Sequence, residues 1–114
     1  MPLISVVVPC YNEEEVLPQL YAELARVAKL MDYVDFEFCF VDDGSSDATP
    51  DMLRTLSKDD KRVHFASFSR NFGKEAAMLA GLRMAKGDYT AVMDADLQHP
   101  PEMLIEMYDD VKDG

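Results

Sequence analysis

Residues 89–102 read YTAVMDADLQHPPE. The segment runs from an apolar stretch, Thr90 to Met93, into Asp94-Ala95-Asp96, and then into a Pro100-Pro101 pair. Short apolar runs bounded by turn residues read as strands, and proline suits the first positions of a helix. The unit is therefore strand, acidic loop, helix. In extended backbone alternate side chains share a side, so Asp94 and Asp96 point the same way, with backbones ~7 Å apart. Two carboxylates that close repel each other unless they share a cation. Asp94, Asp96 and the amide of Gln98 are hard oxygen donors suited to Mg²⁺ or Mn²⁺. Alone, Asp-x-Asp reads better as a polar turn leading into a helix, since the pattern is common by chance; its weight comes from the rest of the chain.

The same unit recurs upstream. Leu3 to Val8 is an apolar, β-branched run, as in a strand buried on both faces. Val16, Leu17, Leu20, Leu24, Val27, Ala28 and Met31 then trace one helical face within residues 13–31. Glu13, Glu14 and Glu15 are expected in the first turn of that helix, where its dipole favours negative charge. Pro18 is either tolerated near the helix start or kinks it. Phe36 to Val41 predicts a second strand and residues 48–56 a second helix, with Ser46 or Asp47 as its cap. Val63 to Phe68 predicts a third strand. Gly73 to Met84 predicts a third helix whose small residues allow close approach to the sheet. The last helix is expected to turn Met103, Leu104, Met107, Tyr108 and Val111 inward. Strict alternation implies an α/β fold with a parallel sheet in order 3-2-1-4, helices on both faces and right-handed crossovers.

The 114 residues suffice for one domain with one core. A 48% apolar composition is globular, and a formal charge of −11 argues against a nucleic-acid backbone or anionic lipid as partner of this segment. Cys10 and Cys39 have no CxxC spacing and no histidine cluster, so they read as small buried hydrophobes. No signal-like leader and no apolar run of ~20 residues is present, so a cytoplasmic location is expected for this segment.

The polar clusters all fall after strands. Pro9, Cys10, Tyr11, Asn12 and Glu13 follow the first; Asp42, Asp43, Gly44 and Ser45 the second; Ser69 to Lys74 the third; Asp94, Asp96, Gln98 and His99 the fourth. The opposite loops, residues 32–35, 57–62 and 86–88, read as ordinary charged connectors. Open parallel sheets bind ligands beyond the carboxyl ends of their strands. Tyr11 suits stacking on a base, and Asn12, Glu13 and Asp43 suit reading its polar edge; a carboxylate accepting an imide N–H selects uracil. Arg70 and Lys74, at the start of a helix, suit contact with phosphate or base. Capping remains the competing role for Asn12, Ser46 and Asp47, packing for Tyr11 and Phe72, and an ordinary loop position for His99.

Together VVVPCYNEEE, VDDGSSDAT, SRNFGKEAAMLAGL and MDADLQHPPE, in that order, resemble the family 2 glycosyltransferases of the GT-A fold. Within that family the resemblance is to polyprenyl-phosphate glycosyltransferases, the bactoprenol glucosyltransferases and dolichol-phosphate mannose synthases, with RNFGKE leaning toward the former. It implies a nucleotide-sugar donor (UDP-glucose before a GDP-sugar), Mg²⁺ or Mn²⁺, inversion at the anomeric carbon and a polyprenyl phosphate acceptor, as in cell-wall or O-antigen synthesis. By motif, Pro9, Tyr11, Glu13 and Asp43 line the nucleoside pocket. Asp94 lies by the ribose and metal, Asp96 and Gln98 bind the metal, and Arg70 and Lys74 form the basic loop. The family's acceptor half, usual base and membrane-associated region come later in its sequence. Residues 1–114 are thus expected to be the N-terminal nucleotide-sugar-binding part of a parent at the cytoplasmic face of a membrane, with no catalytic base before Gly114. Self-association is expected through the surface so exposed.

Two other readings compete. A receiver-type signalling module is also a small acidic α/β domain, but it wants an acidic pair after its first strand, where this chain has Pro9-Cys10-Tyr11-Asn12. The other is a folded fragment without activity.

Overall fold

The structure is a computed structural model that describes residues 1–96 and 100–112. Four strands alternate with four helices: β1 (Leu3–Cys10), α1 (Leu17–Leu30), β2 (Asp35–Asp42), α2 (Thr49–Asp59), β3 (Val63–Ser67), α3 (Lys74–Met84), β4 (Tyr89–Val92) and α4 (Met103–Val111). All pairings are parallel and the order is β3-β2-β1-β4, as the alternation predicts. A receiver sheet has the order 2-1-3-4-5, with its first strand between the second and third. Here β1 lies between β2 and β4, which removes that reading.

The two central strands are buried along almost their whole length. Their even-numbered side chains, Ile4, Val6, Val8, Phe36, Phe38 and Phe40, enter one core with Leu17, Leu20, Leu24 and Val27 of α1, Leu53 of α2 and Leu104 of α4. The odd-numbered face packs against α3. A Cβ on Gly81 would lie 2.3 Å from Cγ1 of Val7, so the absence of a side chain there sets how closely α3 packs on the sheet. The edge strands β3 and β4 are only partly buried.

Three boundaries and one buried face differ from expectation. α1 begins at Leu17, not Glu13, which leaves the three glutamates in the preceding turn and puts Pro18 in the helix's first turn, where it is tolerated. Ala48, not Ser46 or Asp47, occupies the N-cap of α2. Asp47 instead accepts the Thr49 N–H at 2.9 Å. β4 ends at Val92, so Asp94 and Asp96 lie in the following turn, although the Met93 N–H still reaches the Val7 carbonyl at 2.9 Å. In α4 Leu104 is buried, but Met103, Met107 and Val111 are exposed beside the β4 edge.

The connector at residues 86–88 is more than a charged loop. Buried Glu37 accepts the Ser5 hydroxyl and the Lys86 N–H, the latter at 2.6 Å, and the Gly87 N–H donates to Ser5 Oγ at 2.8 Å. Asp88 accepts the Leu3 N–H at 2.9 Å. These bonds pin the entry of β4 against β1 and so fix where its acidic exit emerges.

Candidate nucleotide and metal site

In an open α/β sheet ligands bind beyond the carboxyl ends of the strands, at the point where the strand order reverses. In the order β3-β2-β1-β4 that point lies between β1 and β4. Their carboxyl ends open a cleft of about 160 Å³ lined by Pro9, Cys10, Tyr11, Glu13, Asp43, Lys74, Asp94, Ala95 and Asp96. Six of the residues singled out from the sequence, Pro9, Tyr11, Glu13, Asp43, Lys74 and Asp94, meet here with the metal candidate Asp96. Gln98 and His99 lie outside the described residues. Asn12 and Arg70 do not line the cleft.

Asn12 works in a zipper between the loops that follow β1 and β2. It adopts φ 53°, and its N–H donates to Ser45 Oγ at 2.8 Å while its Oδ1 accepts the Ser46 N–H at 2.9 Å. The Glu13 N–H donates to Thr49 Oγ1 at 3.0 Å and the Glu14 N–H to Asp47 Oδ2 at 3.2 Å; Glu14 Oε2 accepts the Ala48 N–H at 3.1 Å. These cross-loop partners replace capping from within each helix and explain why α1 starts late. Burial raises the Asp47 carboxyl, but hydrogen bonds from Thr49 and Glu14 outweigh it and hold the group below its ordinary range.

Asp43 is 4% exposed, and its carboxylate organises the loop before α3. Oδ1 accepts the Phe72 N–H at 2.8 Å; Oδ2 accepts the Gly73 N–H at 3.1 Å and Asn71 Nδ2 at 3.3 Å. A carboxylate offers about four acceptor positions, so about one remains for the cleft. Gly44 sits under the same loop at φ 74°. Arg70 lies 4.7 Å from the centroid of the Phe72 ring, which meets Phe68 edge-on at 5.5 Å. The neighbouring Asp42 is structural, accepting the Ser45 N–H at 3.1 Å and the Ser67 hydroxyl at 3.2 Å.

The cleft is strongly anionic. Burial, then the charges of Asp96, Asp47 and Asp94, push the Glu13 carboxyl up. A raised carboxyl favours the fold on the acid side: Glu13's contribution is present below about pH 4 and is lost as pH rises through its folded value. The neighbouring charges that raise Glu13 are ones an added cation would offset. Lys74 answers part of that charge with Nζ 2.5 Å from Asp94 Oδ1, and Asp94 raises the Lys74 ammonium in turn. Cys10 borders the cleft, but burial, with Glu13 and Asp42 nearby, pushes its thiol far up and makes it a poor nucleophile. Cys39 is also buried, its thiol pushed up to about 11.

No ready group of three or more His, Cys, Asp or Glu ligands stands around one point among the described residues. The donor chemistry nevertheless fits a hard divalent ion: Asp94 and Asp96 border one cleft whose carboxylates raise Glu13. With two protein carboxylates, the remaining coordination would fall to ligand oxygens and water.

The chain is similar to known glycosyltransferases. It is 45% identical over 101 residues to the bactoprenol glucosyl transferase of Shigella phage SfV, an alignment covering 89% of this chain and 33% of that relative. S. aureus TarS in complex with UDP-GlcNAc superposes with a TM-score of 0.76 at 25% identity, covering 96% of this chain and 31% of that one. The mannosyltransferase PcManGT of Pyrobaculum calidifontis, in complex with GDP-Man and Mn²⁺, superposes with a TM-score of 0.71 at 27% identity, covering 83% and 28%. The chain spans about a third of the length of the curated relatives it matches. Its parallel sheet in order 3-2-1-4 with helices on both faces is the GT-A arrangement of these structures. With the family model for glycosyl transferase family 2 matching residues 5–114, the chain belongs to that family.

Proposed function

We propose that residues 1–114 are the donor-binding part of a metal-dependent, inverting glycosyltransferase, which uses a nucleoside-diphosphate hexose and, within a longer protein, a polyprenyl phosphate acceptor. The observation that carries this reading is the cleft between the β1 and β4 exits. It places an exposed aromatic ring (Tyr11), a buried carboxylate with acceptor capacity left (Asp43) and the Asp94–Asp96 pair around one space. Tyr11 offers a stacking face to the base. Asp43 accepts an imide N–H, which favours uracil, and UDP-glucose is the expected donor with a GDP-sugar second. Lys74 contacts the diphosphate, and Arg70 reaches it or the base from the loop edge. Asp94 and Asp96, with Gln98, would hold Mg²⁺ or Mn²⁺, which supplies charge neutralisation for a diphosphate leaving group.

The relatives support the acceptor class through the bactoprenol glucosyl transferase of phage SfV, and the metal through PcManGT. On this reading the catalytic base, the acceptor site and attachment at the cytoplasmic face of a membrane belong to the longer protein. Among the described residues no helix is long and apolar enough to cross a membrane. The exposed Val92, Met103, Met107 and Val111 favour self-association of the isolated chain, which sedimentation velocity would register as a mean mass rising with concentration.

Calorimetry with UDP and GDP, each with and without Mn²⁺, tests the reading. Metal-strengthened binding with UDP ahead of GDP is expected; no binding of either would leave a folded fragment without activity. Asp43→Asn separates base reading from packing. It swaps an acceptor for a donor, so UDP affinity should fall roughly tenfold, about the worth of one hydrogen bond to a charged group. The Phe72 and Gly73 amides should also exchange faster with deuterium. Unchanged UDP affinity alongside faster exchange would leave Asp43 a purely structural role.

A further inference from the structure

We infer that Lys74 is a placeholder cation: in the ligand-free chain it holds the place of the divalent ion at Asp94, and it transfers to the diphosphate when metal and nucleotide arrive together. The inference rests on the functional reading above and goes beyond it by making metal and nucleotide binding depend on each other through one side chain.

Three observations carry it. Lys74 Nζ lies 2.5 Å from Asp94 Oδ1, at the carboxylate a hard cation would take. The cleft shared by these groups also holds Glu13, Asp43 and Asp96, so Lys74 is its one basic lining residue among the described residues. The other cation of the same loop, Arg70, lies over the Phe72 ring and outside the cleft. Lys74 is also free to move: its side chain is 62% exposed on a long flexible stem, at the first residue of α3. Asp94 is 31% exposed, so the pair is partly open to solvent and exchangeable, not a locked buried bridge.

The physical consequence is competition. A divalent ion approaching Asp94 alone must displace an ammonium and then sit beside it, two cations within one cleft. A diphosphate arriving with the metal gives the ammonium a new anionic partner, so the displacement no longer strands a charge. The first ligand thus removes a cost to the second, which is positive coupling, and linkage requires it to act equally in both directions. A metal site built only of carboxylates would take up free Mn²⁺ readily; this one discriminates in favour of the metal–nucleotide complex.

The test is Mn²⁺ binding read by the electron paramagnetic resonance signal of the free ion, with and without UDP, in the wild-type chain and in Lys74→Met, Lys74→Arg and Arg83→Met. Lys74→Met is expected to bind Mn²⁺ alone roughly two- to fivefold more tightly, the scale of one partly exposed ion pair. It should bind UDP alone more weakly, and should lose most of the enhancement that UDP and Mn²⁺ confer on each other. Lys74→Arg keeps the pair and should resemble wild type. Arg83→Met removes the same charge from the far end of α3 without touching Asp94, and should leave Mn²⁺ affinity unchanged. Equal Mn²⁺ affinity in wild type and Lys74→Met, with UDP enhancement intact, would overturn the placeholder role while leaving the metal site standing. So would an equal gain in Arg83→Met, which would reduce the effect to net charge. Absence of Mn²⁺ binding in wild type even with UDP would overturn the metal reading, and the placeholder role with it.

Discussion

Asp96→Ala is expected to remove the metal-dependent part of nucleotide binding and leave the metal-independent part in place. Asp94 and Asp96 leave β4 in one turn and border the same cleft. Without Asp96 the ion keeps one carboxylate, and that one already has Lys74 Nζ at 2.5 Å. Loss of supporting groups around bound metals commonly costs 10- to 100-fold in affinity, and loss of a ligand should cost at least as much. UDP affinity in Mn²⁺ should therefore fall by roughly that factor, while affinity in EDTA stays at the wild-type value. The variant should also lower the Glu13 carboxyl, because Asp96 is the largest of the charges that raise it. Calorimetry in the two buffers gives the first comparison and carboxyl NMR titration the second. Equal loss of UDP binding in both buffers would mean that Asp96 supports the cleft's shape and not the ion.

Gly44→Ala is expected to be the most damaging single methyl in the site. Gly44 adopts φ 74°, where an L-residue is strained. A Cβ there would lie 2.2 Å from the Arg70 carbonyl carbon and 2.5 Å from both Arg70 O and Asn71 N, all backbone atoms. The loop cannot yield freely, because Asp43 holds its next three residues from below. Backbone strain and overpacking each cost about 1–3 kcal/mol, so a loss of about 3 kcal/mol or more is expected, a large share of a small domain's stability. If the loop shifts to relieve the clash, UDP affinity should fall with it. Gly73→Ala is the comparison: φ 104° is also unfavourable, but a Cβ there meets nothing within 4 Å. Urea unfolding of the two variants should rank Gly44→Ala well below Gly73→Ala. Similar midpoints would show that the loop rests loosely on Gly44.

The fold was legible because its signals are local. Apolar β-branched runs such as Leu3 to Val8 give strands, and alternation with helical faces gives a parallel sheet. The gathering of Tyr11, Glu13, Asp43, Lys74, Asp94 and Asp96 at one edge was legible for the same reason, since each follows a strand or opens the next helix. What escaped depends on partners far apart in sequence. The late start of α1 comes from cross-loop bonds of Glu13 and Glu14 to Thr49 and Asp47. The Glu37 clamp reads in sequence only as a polar residue interrupting a strand, because Ser5 and the 86–87 turn meet it only in the folded chain. Period alone turned Met103, Met107 and Val111 inward with Leu104, but which part of an apolar face is covered depends on what packs against it.

Metal and nucleotide are expected to share the cleft between the β1 and β4 exits. The direct measurement is paramagnetic broadening of backbone amide NMR signals by Mn²⁺ in the presence of UDP. The predicted result is broadening strongest at Tyr11, Glu13, Lys74, Ala95 and Asp96, absent with Mg²⁺, with the loops at residues 32–35, 57–62 and 86–88 least affected. Broadening centred on that opposite edge, or none beyond what free Mn²⁺ produces without UDP, would contradict it.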